Sequence, residues 1–253
     1  MNIIKKLINS LLGTIGYSIS KKRYISTLEY FLTAHNYYSG RKIVNKENDK
    51  FTNFIKENFK LSNSALFQDL FAIWVNGEVE NGYFVEFGAG NGIDDSNTLI
   101  LEKKYNWKGL LIEPSSNFNE LKIKRSVSSL NFAITSKSDE KVEFYETQNK
   151  NFSSLNYKPD SKKNIVKTIT LNDALEQVSA PKYINFMSID TEGSEIEALK
   201  GIDFEKYFIK CLVIEHNYHK SRKEILKILT RNNFQRVFEN QTLYDDWYVN
   251  NGK

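Results

Sequence analysis

A chain of 253 residues with 40% hydrophobic content is long enough to bury one α/β core with an extension, and 35 Lys and Arg against 31 Asp and Glu leave a net charge of only +4. That balance excludes a strong nucleic-acid footprint, and no run of about 18 apolar residues is present to span a bilayer. The lone cysteine, Cys211, sits in the apolar run Cys211-Leu212-Val213-Ile214, where it reads as a small buried hydrophobe; it excludes an intrachain disulfide framework and fits a reducing cytoplasm.

In chain order, Ile3, Ile4, Leu7, Ile8, Leu11, Leu12 and Ile15 come first, at helical spacing, with Lys5, Lys6, Lys21, Lys22 and Arg23 nearby. A signal peptide is disfavoured, because no small-residue cleavage site follows and Asn9 and Ser10 interrupt the apolar stretch. Two readings stay open: a helix that packs on the rest of the protein or a partner, and a basic amphipathic helix that makes a peripheral contact with an anionic membrane surface. Residues 20 to 60 are polar and read as helices and loops, so 1–62 form a helical N-terminal extension and 63–253 the main domain.

From residue 83 the character changes. Tyr83 to Phe87, Leu110 to Glu113, Ile184 to Asp190 and Cys211 to Glu215 are short apolar runs that each end at or beside a carboxylate. Runs apolar on both faces predict central parallel strands covered by helices on either side. The intervening segments Leu99 to Lys104, Asn117 to Lys124 and Ser194 to Lys200 have helical features, and Asn117 with Glu120 and Ser194 with Glu197 have capping-box spacing. The strand-end carboxylates therefore fall on strand-to-helix loops, the ligand-binding edge of an open α/β sheet. Asn151 to Leu155, in a Ser- and Lys-containing insertion, reads either as a lid or acceptor loop or as a solvated connection. Phe234 to Phe238 and Leu243 to Val249 predict a terminal antiparallel hairpin on a mixed sheet.

Glu86-Phe87-Gly88-Ala89-Gly90-Asn91-Gly92 follows a predicted strand and precedes a helix, the context a nucleotide-type glycine loop needs. Its spacing is G-x-G-x-G rather than the G-x-G-x-x-G of a dinucleotide fingerprint, which weighs against a nicotinamide-dependent oxidoreductase. A carboxylate at Glu86 is awkward beside a pyrophosphate but suits a ligand carrying an ammonium and a sulfonium, as S-adenosylmethionine does. Glu113, 21 residues beyond Gly92, is placed to accept hydrogen bonds from both hydroxyls of a ribose; the bland alternative is a helix-capping acid.

Taken as an ordered series, Gly82 to Gly92, Ser96-Asn97-Thr98, Leu101-Glu102, Trp107 to Pro114 and Asp190-Thr191-Glu192-Gly193-Ser194-Glu195 resemble the FkbM-family methyltransferases over roughly residues 64 to 216. The resemblance implies a class I methyltransferase fold, a doubly wound mixed sheet with S-adenosylmethionine as donor. It also implies O-methylation of a sugar or natural-product hydroxyl, with relatives that tailor capsule or lipopolysaccharide. Cofactor contacts are then expected from Glu86, Gly88, Ala89, Gly90, Asn91, Gly92, Ser96, Thr98, Glu113, Pro114 and Ala133. The acceptor is a sugar or nucleotide-sugar, with no nucleic acid as partner; a noncatalytic nucleotide-sugar or membrane-surface binding protein on the same fold is the competing reading.

A hydroxyl acceptor must lose a proton. Asp190, Glu192, Glu195, Glu215, His216 and His219 are the candidates at the right edge of the sheet, while His35 in the N-terminal segment reads as a surface residue. Because Asp190 and Glu215 end neighbouring strands in this fold class, Asp190, Glu215 and His216 are expected to converge, with Glu192 beside them. The cluster serves either as a metal-free acid-base group or as a site for a divalent metal, Mn or Fe ahead of Mg. In a bland third reading Asp190 and Glu192 only favour the positive end of the following helix.

Overall fold

The computed structural model describes residues 19–40, 46–148 and 153–252; the amphipathic run from Ile3 to Ile15 lies outside them. Two helices, α1 (Ile19–Gly40) and α2 (Lys46–Asn58), precede α3 (Gln68–Asn76) and the strand β1 (Tyr83–Phe87). Then follow α4 (Leu99–Tyr105), β2 (Lys108–Ile112), α5 (Phe118–Lys124), β3 (Ser128–Leu130), β4 (Ala133–Ile134), β5 (Lys141–Glu146) and β6 (Lys162–Ile169). The chain continues through α6 (Leu171–Gln177), β7 (Tyr183–Ile189), α7 (Glu195–Lys200), β8 (Phe208–Glu215), α8 (Arg222–Arg231), β9 (Phe234–Val237) and β10 (Asp245–Asn250).

Seven strands form one sheet in the order β3-β2-β1-β7-β8-β10-β9. The first five run parallel, and β10 pairs antiparallel with both β8 and β9. This is the doubly wound mixed sheet with a terminal antiparallel hairpin that the apolar runs and the resemblance imply. The order reverses between β1 and β7, so the loops after these strands flank the crevice where α/β sheets bind ligands.

Alternation along the strands feeds two cores. Val85, Met187 and Leu212 point to one face, under α6, α7 and α8, whereas Phe84, Phe186 and Cys211 point to the other. On that second face α1 and α2 contribute Phe31, Phe51 and Ile55, which meet Phe67, Phe71 and Trp247. The rings of Phe71 and Trp247 stack at 4.7 Å, and Phe31 and Phe51 lie 6.2 and 5.9 Å from Trp247. Cys211 is buried here, its Sγ donating to the Asn185 carbonyl at 3.2 Å, as expected of a small hydrophobe. His35 departs from its surface reading: it is buried, its Nε2 3.0 Å from Asp49 and its Nδ1 3.1 Å from Thr52 Oγ1. Among the described residues no helix is long and apolar enough to cross a membrane.

Two features escape the sequence reading. A second sheet, β4-β6-β5, rises beside the carboxyl ends of β1 and β2. The proposed capping boxes are also absent, since neither Asn117 nor Ser194 makes a side-chain cap. Ser115 Oγ instead accepts from the Asn117 amide, and Glu195 Oε1 accepts from the amides of Thr191 and Gly193. Spacing alone cannot distinguish these, because any nearby hydroxyl or carboxylate satisfies the same orphan donors.

Candidate active site

The glycine loop after β1 is shaped by contacts that only glycine permits. Gly88 has φ +70, and a Cβ there would lie 1.8 Å from the Asp190 carbonyl oxygen, so the β1 and β7 loops touch backbone to backbone. A Cβ on Gly92 would lie 2.8 Å from Arg125 Cγ. Arg125 is wholly buried and holds the loop from behind: its Nη1 donates to the Gly92 carbonyl at 2.9 Å and to Ser96 Oγ at 3.0 Å, and its Nη2 to Thr98 Oγ1 at 3.0 Å. Its Nε is paired with Glu102 at 2.5 Å. Nothing in the sequence pattern singled it out.

Glu86, buried at the end of β1, accepts from Ser96 Oγ, the Asn97 amide and Thr98 Oγ1 at 3.0, 2.7 and 2.5 Å. Burial raises its pKa, opposed by the Arg125 charge and by these three donors. Glu113 accepts from the amides of Gly90 and Ser115, each at 2.8 Å, one on each oxygen. Burial raises its pKa too, with the Ser115 and Gly90 donors opposing.

That cleft encloses about 870 Å³ including its open mouth. Of the expected contacts, Glu86, Gly88, Ala89, Gly90, Ser96, Glu113, Pro114 and Ala133 line it; Asn91, Gly92 and Thr98 do not. Asn91 turns outward and closes its own turn by accepting from the Ile93 and Asp94 amides. Gly92 and Thr98 shape the loop and brace Glu86 from behind. Phe132, Ile134 and Phe144, from or beside the second sheet, add an apolar wall that the sequence reading missed. Of the loop Asn151 to Leu155, Asn151 and Phe152 fall outside the described residues, whereas Ser153 and Leu155 line the cleft and Ser154 Oγ donates to the Glu192 carbonyl at 2.7 Å.

Beside this cleft lies a second one, which shares Asp95, Asn97, Ser188, Asp190 and Glu192 with it and continues to Glu215 and Asp245. Ligand oxygens of Asp190, Glu192 and Glu215 all lie within 4.8 Å of one another. Asp190 opens to the cleft yet is ringed by protein; its pKa is pushed well up by lost hydration and then by the charges of Glu215, Asp245 and Glu192. Glu215 is raised for the same reasons, burial first and then Glu192 and Asp245, and its hydrogen bond with Asp190 opposes this. Burial pushes Asp245 up to about 7 against the hydrogen bond it accepts from Gln68 Nε2 at 2.7 Å. Glu192 is paired with Lys158 at 3.1 Å.

His216 does not join them, which corrects the expected triad. Successive residues at a strand end point to opposite faces, so Glu215 and its register partner Asp245 face the cleft, while His216 and Asp246 face away. The buried imidazole accepts from the Tyr218 amide through Nδ1, and Nε2 lies 3.8 Å from Asp246, itself bound by Arg222 at 2.7 and 2.9 Å. Burial lowers its pKa, so it is neutral near pH 7. Glu195 is spent on the loop amides, and His219 stands exposed.

The residues present fit an S-adenosylmethionine-type ligand: a loop turned at the positive φ of Gly88 and Gly90, a buried carboxyl at Glu113, and an apolar wall for a base, all lining one cleft. Removing a hydrogen bond to a charged group costs ~1.5–3 kcal/mol, so Glu113→Ala is expected to weaken cofactor binding about 10- to 150-fold by calorimetry. Unchanged affinity in the folded variant would refute the assignment.

The methyltransferase FkbM domain model matches residues 86–236. No curated protein matches the chain. Among solved structures, the chain is similar to a precorrin-6y C5,15-methyltransferase from Geobacter metallireducens at 8% identity and a TM-score of 0.40, over 66% of this chain and 70% of that one. It is also similar to a SAM-dependent methyltransferase from Aquifex aeolicus at 12% identity and a TM-score of 0.38, over 76% and 95% of the two chains.

Proposed function

The chain belongs to the FkbM family of S-adenosylmethionine-dependent methyltransferases, and on that premise we propose that it methylates a hydroxyl of a sugar, on a bacterial glycan such as capsule or lipopolysaccharide or on its nucleotide-linked precursor. The observation that carries this reading is the second cleft, which opens directly from the cofactor cleft and is lined by carboxylates and amides, acceptors and donors for a polyol.

Bound S-adenosylmethionine supplies a methyl carbon made electrophilic by its sulfonium. Gly88, Gly90 and Glu113 would hold the donor's nucleoside half, and Glu86 would lie on the side of its cationic end. Asp190 and Glu215 orient the acceptor hydroxyl and take its proton as its oxygen bonds the methyl carbon, with the sulfur keeping the electron pair of the broken bond. Gly88 fixes the distance between the two loops, so positioning is built into the backbone.

A second reading rests on the closeness of the three carboxylates. Asp190, Glu192 and Glu215 would hold a divalent cation, and without His216 this all-oxygen set suits Mg or Mn rather than Fe. A cation there would lower the pKa of a bound hydroxyl. The deciding experiment combines labelled S-adenosylmethionine, a sugar panel and exhaustive chelation. Label on a sugar supports the function, and label on none of them refutes it. Full activity after chelation assigns deprotonation to the carboxylates alone, whereas loss restored by Mn or Mg assigns it to the cation.

A further inference from the structure

On α2, α4, α5 and α7 a lysine is paired with a glutamate of its own helix: Lys50 with Glu47, Lys103 with Glu102, Lys124 with Glu120 and Lys200 with Glu197. α8 is different. Lys223, Lys227 and Arg231 recur at four-residue spacing, so they share one face, with Lys220 in the turn before them and Ile225 and Leu229 buried on the opposite face. All four cations are exposed, and none is in an ion pair among the described residues. Glu224, the one carboxylate of the helix, does not pair with them either. Like charges one turn apart repel, and an anionic surface laid along the stripe, about 12 Å from Lys223 to Arg231, relieves that repulsion.

This face is held in one orientation. Arg222, in the first turn, donates to the buried Asp246 at 2.7 and 2.9 Å, and Ile225 and Leu229 seat the rest of the helix in the core. The chain enters α8 from the lip of the second cleft: Asn217 lines that cleft, the His219 amide donates to the His216 carbonyl at 2.7 Å, and the Arg222 amide donates to the His219 carbonyl at 3.1 Å. Tyr218, packed edge-on against His216 and yet 68% exposed, sets an aromatic ring in solvent two residues before Lys220.

Unpaired cations in a row with an exposed tyrosine at their head match the interface of an anionic bilayer. Headgroup phosphates take the cations, and a ring with a polar tip rests at the level of the headgroups. A soluble polyanion would satisfy the cations but leave the ring in water. A second copy of this chain, stripe to stripe, would set like charge against like.

We propose that the outward face of α8, with Tyr218 at its head, is a peripheral docking surface for membranes rich in anionic lipid, and that it brings the lip of the second cleft to the headgroups. The surface does not depend on which acceptor the cleft takes.

The test mixes the full chain with vesicles of phosphatidylcholine, alone or with added phosphatidylglycerol, and measures bound protein by flotation across a salt series. Binding is expected only with phosphatidylglycerol, and it falls as salt rises. Lys223→Gln, Lys227→Gln and Arg231→Gln together are expected to lower the partition coefficient on the order of a hundredfold, roughly fivefold for each cation. Tyr218→Ala lowers it severalfold by itself. Lys108→Gln, Lys122→Gln and Lys141→Gln, which remove the same charge from exposed positions on β2, α5 and β5, leave it within about threefold. All variants keep the parent chain's affinity for S-adenosylmethionine. Equal loss in the two triple variants overturns the proposal, because net charge alone would then govern binding. An unchanged partition coefficient in the α8 variant overturns it too, whatever residues 1–18 add to the total. Capture by a soluble polyuronate but not by the vesicles assigns the stripe to a polyanion instead and likewise overturns it.

Discussion

Asp190→Asn and Glu215→Gln are each expected to lower kcat by about 10²–10⁴-fold while leaving the Kd for S-adenosylmethionine within about threefold. An amide preserves the shape of the site but cannot take the acceptor's proton, so the loss should appear in the chemical step. The pH dependence carries a sign that tests the same assignment. A base acts only when deprotonated, and burial with mutual repulsion raises both carboxylates, so kcat/KM rises with pH through a range well above that of an ordinary carboxylate. Glu192 contributes to raising both groups; Glu192→Gln therefore moves this rising limb to lower pH. A limb that stays in place, or moves upward, would show that the carboxylate cluster does not set the ionisation.

Arg125→Met is expected to destabilise the fold by ~3–5 kcal/mol, the range for breaking a buried ion pair on one side. The side chain is wholly buried, and its loss strips a partner from Glu102, Gly92, Ser96 and Thr98 at once. It also removes the positive charge that opposes the raised pKa of Glu86. Urea unfolding gives the loss directly, and cofactor affinity should fall with it because the loop from Gly92 to Thr98 is no longer tied down. A loss below about 1 kcal/mol would mean that the methionine, with Lys103 and Ser126 still on Glu102, packs as an adequate substitute.

The sheet was legible because its signal is local. Tyr83 to Phe87 or Cys211 to Glu215 can be apolar on both faces only if both faces are covered, and the structure places exactly such strands at the centre of the sheet. The glycine loop was legible for a similar reason, since Gly88 and Gly90 adopt positive φ that few other residues tolerate. What escaped depends on the third dimension. Arg125 looks like one more basic residue at the end of a helix until the packing of Gly92 upon it is seen. His216 was misread because adjacency in sequence was taken for adjacency in space, although strand alternation sends it away from Glu215. β5 and β6 stand half-exposed, and although Ile165 to Ile169 reads as strand-like, nothing in the sequence says that β5 brings Phe144 to the cofactor cleft.

Where Trp247 sits also bears on the order in which the fold can close. Its ring, on β10, covers Phe31 and Phe51, which lie far before it in the sequence. Polar links follow the same long path: Asn48 bonds Gln241 across 193 positions and Gln68 bonds Asp245 across 177, while β1 waits for Asn185, 102 positions after Tyr83. Contacts this distant form late, because loop closure must precede any gain from them. Until the segment that carries Trp247 has been made, the aromatic face of Phe31 and Phe51 lacks this cover, and loss of β10 would leave α1 and α2 without it.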